Sequence, residues 1–330
     1  MSRRAPSAGT HCGPNGPHAM GAQAPEVAPD IPQSAIGHPL GVPHSRGSGA
    51  SPWHDAFRRL RRNRLAVLGL AVLLTFVLAA IVAPWIAPFP FDKTDLRHGA
   101  KPPSRLHVLG TDELGRDLFT RILYGARISF AVGILATLVS LSIGVTYGCV
   151  AGYAGGRLDH LMMRIVDILY GLPFMFFVII LMVIFGRNIL NLFVALGAVQ
   201  WLTMARIVRG QVLSLKVREF VLSAQAVGAS PLRLLVRHVL PNAVGPIVVY
   251  ATLTVPAVML EEAFLSFLGL GVQPPMASWG SLASEGAAAM EPYPWLILFP
   301  GISLTVTLLS LNFFGDGLRD ALDPQISFRR

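Results

Sequence analysis

Long apolar runs alternate with short polar connections along most of this 330-residue chain. A helix needs about 20 predominantly apolar residues, each rising about 1.5 Å, to cross a bilayer's hydrocarbon core. Six stretches meet that length: 65–87, 128–154, 165–186, 188–205, 239–260 (running on toward 270) and 292–315. Five carry no charge, and the third contains only Asp167. The pattern predicts an all-α polytopic membrane protein with six transmembrane helices. The same pattern argues against a soluble protein with several buried helices, because such helices rarely lack charge over so many residues. Pro173, Pro246, Pro256 and the pair Pro300-Gly301 fall inside spans and predict kinks where they remove helix hydrogen bonds.

The most informative polar stretch separates the fourth and fifth spans: EFVLSAQAVGASPLRLLVRHVLPN, residues 219–242. It opens with Glu219, and small residues crowd its first half: Ser223, Ala224, Ala226, Gly228, Ala229 and Ser230. Arg233 and Arg237 lie one helical turn apart in its second half, while apolar residues at 232, 235, 236, 239 and 240 keep helical spacing. Ser230 followed by Pro231 reads as an N-cap with proline at the first helical position. Pro241-Asn242 is expected to end that helix. The predicted unit is a small-residue helix, a glycine turn and a second short helix, all outside the bilayer and shaped for another protein to grip.

Composition sharpens the picture. Charged residues make up 14% of the chain, against about 25% in soluble domains, and 53% of its residues are hydrophobic. The formal net charge of +9 does not point to nucleic acid, because the basic residues gather beside the spans and not on one soluble face. Most Lys and Arg fall on the side of the N-terminus, the island and the C-terminus, so the positive-inside rule predicts both termini in the cytoplasm. The basic first external loop runs against that trend. Cys12 and Cys149 form neither a disulfide framework nor a metal-ligand pair.

The expected organisation is a Pro/Gly/His-rich disordered cytoplasmic leader over 1–52, then a basic helix, the first span and the start of an external loop over 53–100. Residues 101–127 complete that loop. A permease-like bundle over 128–316 carries the cytoplasmic loop 209–242, and 317–330 form a cytoplasmic tail. The basic residues of 58–64 serve as a stop at anionic headgroups.

Two further sets of charges have more than one reading. In the first external loop, Asp112 and Asp117 interleave with Arg116 and Arg121. They either pair with each other and cap the second span, or present a docking surface to an extracytoplasmic partner. Glu261 and Glu262 fall late in the fifth span. An acidic side chain at mid-bilayer costs roughly 2.5–3.5 kcal/mol on insertion scales, so such groups face a pathway, an interface or a partner. Adjacent helical residues diverge by about 100°, so the two cannot face one pathway equally. Asp167 lies near a span end with Arg164 three residues back as a partner.

No catalytic constellation is evident. The lysines, Lys93, Lys101 and Lys216, follow Asp92, Ala100 and Leu215, so the chain contains no phosphate-binding GK[ST] loop. A self-sufficient secondary transporter is the competing class, and the scarcity of intramembrane charge and of inverted repeats argues against it.

Taken together, these motifs resemble the type-I ABC importer permeases of the dipeptide/oligopeptide/nickel group, specifically the second of its two permease subunits. The island is similar to the family's cytoplasmic EAA loop, with Gly228 at its glycine and Leu240-Pro241 at its terminal Leu-Pro. LGTDELGRDLFTRILYGARIS (109–129), AGYAGGRLDHLMMRIVDILYGLP (151–173), FLSFLGLGVQPPMASWG (264–280) and GDGLRDALDP (315–324) are similar to other segments of that subunit. The motif's Glu falls on Leu222 and its first Ala on Ser223. Docking by shape around Ala224 and Gly228 therefore remains, with Glu219 the acid one turn earlier. The resemblance implies a multi-pass subunit of the bacterial inner membrane, paired with a homologous permease. Two cytoplasmic ATPase subunits would grip the EAA loops and an extracytoplasmic binding protein would deliver the solute. ATP and Mg would be used by the partners, with no cofactor held by this chain.

Overall fold

The computed structural model describes residues 52–322; the leader expected as disordered and the last eight residues lie outside the described part. Helix α1 (Pro52–Arg62) is the short basic segment, and α2 (Arg64–Ile86) is the first span. Asn63 separates them: its backbone is extended and its side chain accepts from the Ala66 amide at 3.3 Å, capping α2. Leu68, Leu74, Leu78 and Ile81 of α2 are exposed, as expected of a lipid-facing surface. On the packed side, Gly69 and Ala66 meet the last helix of the chain at Ser310 and Gly317.

The second span is longer than its apolar run. Helix α3 extends over Leu118–Ala154, ten residues earlier than the hydrophobic pattern suggested, because Asp117 accepts from the Thr120 amide at 2.8 Å and starts the helix inside the polar loop. Gly155 and Gly156, both at positive φ, then turn the chain into α4 (Gly156–Tyr170). The third apolar stretch is not one straight span: α4 and α5 (Phe174–Phe185) meet at an 84° bend. Pro173 sits at that bend as the N-cap of α5 and cannot continue a helix.

Helix α6 (Ile189–Leu215) continues ten residues beyond the expected end of the fourth span. The island follows as α7 (Glu219–Ala226) and α8 (Pro231–Leu234), and α8 passes through a wide π-turn at Leu235–Val239 into α9 (Leu240–Phe267). The expected break at Pro241-Asn242 is thus corrected: the helix runs through it. Pro241 has no amide hydrogen and its ring would press on the carbonyl four residues back, and the widened turn takes up that strain just ahead of it. Beside it Asn242 donates its side-chain amide to the His238 carbonyl at 2.6 Å.

Helix α10 (Trp279–Ala288), absent from the hydrophobicity pattern, sits in the loop after α9, and α11 (Trp295–Leu322) closes the chain. Among the described residues five helices are long and apolar enough to cross a membrane, six if the bent pair α4–α5 counts as one span.

The bundle is assembled on glycine. Gly144, Gly148 and Gly152 repeat every four residues along one face of α3, against Met204, Val208 and Val212 of α6. A methyl group added at these positions would approach α6 atoms to 2.6, 2.5 and 2.8 Å. Gly197 returns the arrangement from α6, where a Cβ would stand 2.6 Å from Val139. In lipid, helices gain nothing by hiding apolar surface from apolar surface, so close backbone approach and dispersion hold such pairs together.

Candidate functional site

Three polar zones are distributed along this bundle. The first is the island. Gly228, at φ +89°, makes the turn between α7 and α8, a conformation that L side chains rarely adopt. Ser230 has N-cap backbone geometry with Pro231 at N1, although its side chain makes no cap bond. Glu219, Leu222, Ser223 and Ala226 are exposed at helical spacing on one face of α7, and Arg233 and Arg237 are exposed one turn apart beyond the turn. A shallow groove is lined by Ser223, Ala224, Val227, Gly228, Ala229 and Arg233. Val227 is 89% exposed at its rim.

The other face of the island is joined to the bundle. Val221, Leu234 and Val239 pack with Val208, Val212 and Ala243 in one buried cluster. Beside it, Arg209 of α6 grips Asp159 of α4 with two bonds of 2.5 and 2.7 Å, and Lys216 donates to the Gly152 carbonyl at 3.0 Å near the C-terminus of α3. Asp167, in the last turn of α4, pairs with Arg206 of α6 at 2.9 Å and not with Arg164. Force on the island therefore reaches α3, α4 and α6 through packed and ion-paired contacts.

The second zone lies at the opposite end. Asp112 accepts from the Leu114 and Arg116 amides, from Arg116 Nε at 2.6 Å and from Arg121 Nη1 at 2.7 Å. Arg121 also donates to Glu285 of α10 at 2.8 Å. Asp117 caps α3 and contacts His107 Nδ1 at 2.9 Å. Asp112, Asp117 and Arg121 are buried. The expectation of a docking surface made of these side chains is corrected to that extent: they are turned inward and satisfy each other. Glu285 was not singled out from the sequence, since 164 residues separate it from Arg121. The available signal was charge balance, a basic first loop facing a second loop without Lys or Arg.

The third zone holds the two carboxylates of α9, and the structure separates them. Glu262 is buried and accepts from the hydroxyls of Ser266 and Ser278 at 2.7 and 2.6 Å. It lies against Gly280, where α10 comes within van der Waals reach of α9. Next to it, Trp279 is fully buried, donates its indole N–H to the Ile122 carbonyl at 3.0 Å and meets Phe76 and Phe130 edge-on. The pathway reading of Glu262 is therefore corrected: it anchors α10 to α9. Glu261 points elsewhere. Gln200 of α6 donates to its Oε1 at 2.7 Å, and it lines a cleft of about 300 Å³ with Tyr170, Phe174 and Phe177. Among the described residues no group of His, Cys, Asp and Glu is arranged to hold a metal ion.

Helices of spanning length, a protruding elbow fastened to several of them and a cleft opening among them define a membrane permease. Residues 144–328 match the binding-protein-dependent transport system inner membrane component family, and 51–103 match the N-terminal TM domain of oligopeptide transport permease C. The chain is 50% identical to the oligopeptide transport system permease protein of Haemophilus influenzae, over 84% of its own length and 90% of that protein. The corresponding Escherichia coli K12 protein is 53% identical, over 84% and 92%. The dipeptide transport system permease of Bacillus subtilis is 49% identical, over 82% and 85%. A solved inward-facing structure of the MetNI methionine ABC transporter shares the fold, with a TM-score of 0.53 and 18% identity over 62% of this chain and 98% of that one. The chain belongs to the inner-membrane component family of binding-protein-dependent transport systems. It is a multi-pass permease subunit of a bacterial ABC importer, and its relatives are permeases and not ATPases.

Proposed function

We propose that this subunit forms, with a homologous permease, the pathway of an ATP-driven importer of peptides, and that the island is where two cytoplasmic ATPase subunits drive it. The observation that carries this reading is the elbow at Gly228: exposed, lined by small residues on its outer side, and packed through Val221, Leu234 and Val239 into the bundle on its inner side. A partner that grips the outer side moves the bundle. The island end then lies in the cytoplasm with both termini, in keeping with the positive-inside bias. The opposite end, capped by the 93–121 loop and α10, faces an extracytoplasmic binding protein that delivers solute.

Coupling follows from geometry. ATP-driven closure of the ATPase pair draws the two islands of the permease pair together. Because α8 is continuous with α9 through the π-turn, and Arg206 and Arg209 tie α6 to α4, the displacement passes into the helices that surround the Glu261 cleft. The peptide assignment draws on relatives that carry oligopeptides or dipeptides by name. Leu222 is exposed where the resemblance places an acid, so contact at this elbow relies on shape, with Glu219 on the same helical face.

The test is reconstitution in proteoliposomes with the co-encoded permease, ATPases and binding protein. ATP-dependent accumulation of a labelled tripeptide that disappears when the ATPases are omitted is the expected result. Uptake without them would refute the reading.

A further inference from the structure

We infer that Glu261 is the centre of a transit site for the α-ammonium group of the peptide, built into the permease itself. The inference rests on the peptide-import reading and deepens it. The cleft lies between the α4–α5 bend, the middle of α6 and the outer part of α9. Its walls are mostly apolar and aromatic, with Tyr170, Phe174 and Phe177 on one side. A carboxylate stands among them, and its two oxygens are treated differently. Oε1 is held by Gln200 at 2.7 Å, which fixes the side chain toward the cleft. Oε2 is buried and has no hydrogen-bond partner among the described residues.

Arg206, the next cation along α6 from Gln200, does not fill that role. Arg206 pairs with Asp167 at 2.9 Å and lies over the Tyr170 ring at 4.3 Å, so its charge is engaged one to two turns along α6 from Gln200. Glu262 is turned away and satisfied by two serines. The cleft is thus lined by a carboxylate with one unpartnered oxygen just beneath its aromatic walls, and a small side-chain shift would bring that oxygen to an ammonium group on an apolar body. Every unmodified peptide carries such a group at its N-terminus whatever its side chains, so a site of this kind serves varied sequences with one contact. An anionic head group is repelled there, and a neutral one gains at most a hydrogen bond without the charge attraction.

The experiment uses the full reconstituted complex and two lysine-free probes, trialanine and its propionyl-Ala-Ala analogue, which differ by the ammonium group. Both are supplied at concentrations that saturate the binding protein. Glu261→Gln is expected to lower the maximal uptake rate of trialanine at least tenfold at unchanged half-saturation, and to leave uptake of the analogue within twofold of wild type. Equal loss for both probes, or loss for neither, overturns the site. A wild-type complex that imports no peptide refutes the import reading, and this inference with it. A second measurement is independent of transport: Thr203→Cys on the cleft wall, in a background with Cys12→Ser and Cys149→Ser. A methanethiosulfonate carrying an ethylammonium group should react faster than a neutral one of similar size, and adding Glu261→Gln should abolish that preference. An unchanged preference counts against the site.

Discussion

The two ends of this bundle use polar residues in opposite ways. At the α10 end, Asp112, Arg116 and Arg121 are drawn into one another and largely hidden from solvent, with the more exposed Glu285 closing the network from outside. At the island end, Arg233 and Arg237 are exposed and form no ion pair with another described residue. Glycines show the same division. A Cβ at Gly115 would stand 2.1 Å from the Asp95 carbonyl oxygen, whereas one at Gly228 would meet nothing within 4 Å. One end is a closed cap whose contacts are complete within the chain. The other is an open elbow whose outer face the described chain leaves uncovered. Polarity alone does not mark an interface; polar residues left unsatisfied and small residues left uncovered do.

The largest effect should come from breaking the cap. Arg121→Met removes the buried partner that Asp112 and Glu285 share and leaves Arg116 to hold both, at 2.6 and 3.4 Å; the loss should approach the lower end of the about 3–5 kcal/mol of a broken buried pair. Thermal unfolding of the detergent-purified complex should shift markedly downward, and an unchanged melting temperature would show that the network is slack. Next comes the glycine pair. Both positions have positive φ, which costs an alanine roughly 1–2 kcal/mol, but only Gly115 adds a backbone clash. Gly115→Ala should therefore destabilise the subunit more than Gly228→Ala, as measured by melting or by protease resistance. Equal losses would remove the distinction between closed and open ends.

At Gly228 itself, bulk separates the chain from its partner. Gly228→Ala and Gly228→Trp share the backbone cost, and the first added carbon meets nothing within 4 Å in either. Transport in reconstituted vesicles should be abolished by tryptophan at unchanged membrane insertion, while alanine retains part of it. Uptake equal in the two variants would mean that nothing approaches the turn. The smallest effect is expected for Leu222→Glu. The position is exposed, so stability should move by no more than about 0.5 kcal/mol. Co-purification of the ATPases should hold or improve, and its loss would show that Leu222 makes an apolar contact the acid cannot replace.

Much of this molecule was legible in its residues. Apolar run length located the spans because the bilayer imposes a thickness, and Gly228 with Ser230-Pro231 marked the elbow because few residues tolerate those backbone angles. Run length fails where helices leave the hydrocarbon: Asp117 starts α3 ten residues early, and α6 runs ten residues past its apolar end. Pro173 and Pro241 show the same limit. One ends up at an 84° bend and the other inside a continuous helix, since a neighbouring turn that can widen decides whether proline breaks or merely bends. The stripe Gly144, Gly148 and Gly152 was present as a four-residue repeat and passed unnoticed as a packing face.

Sequence by itself therefore determined the class of the protein, the places of its apolar stretches and the position of its elbow, all properties of local spacing and backbone chemistry. Partners distant along the chain were decided only by tertiary structure: Arg121 with Glu285, Asp167 with Arg206, Trp279 with Ile122. Glu261 and Glu262 show why. They are adjacent and chemically identical, and helical geometry requires them to diverge, but which one meets serines and which meets a cleft depends on where α6 and α10 pack around α9. That placement comes from the whole bundle, and no local pattern encodes it.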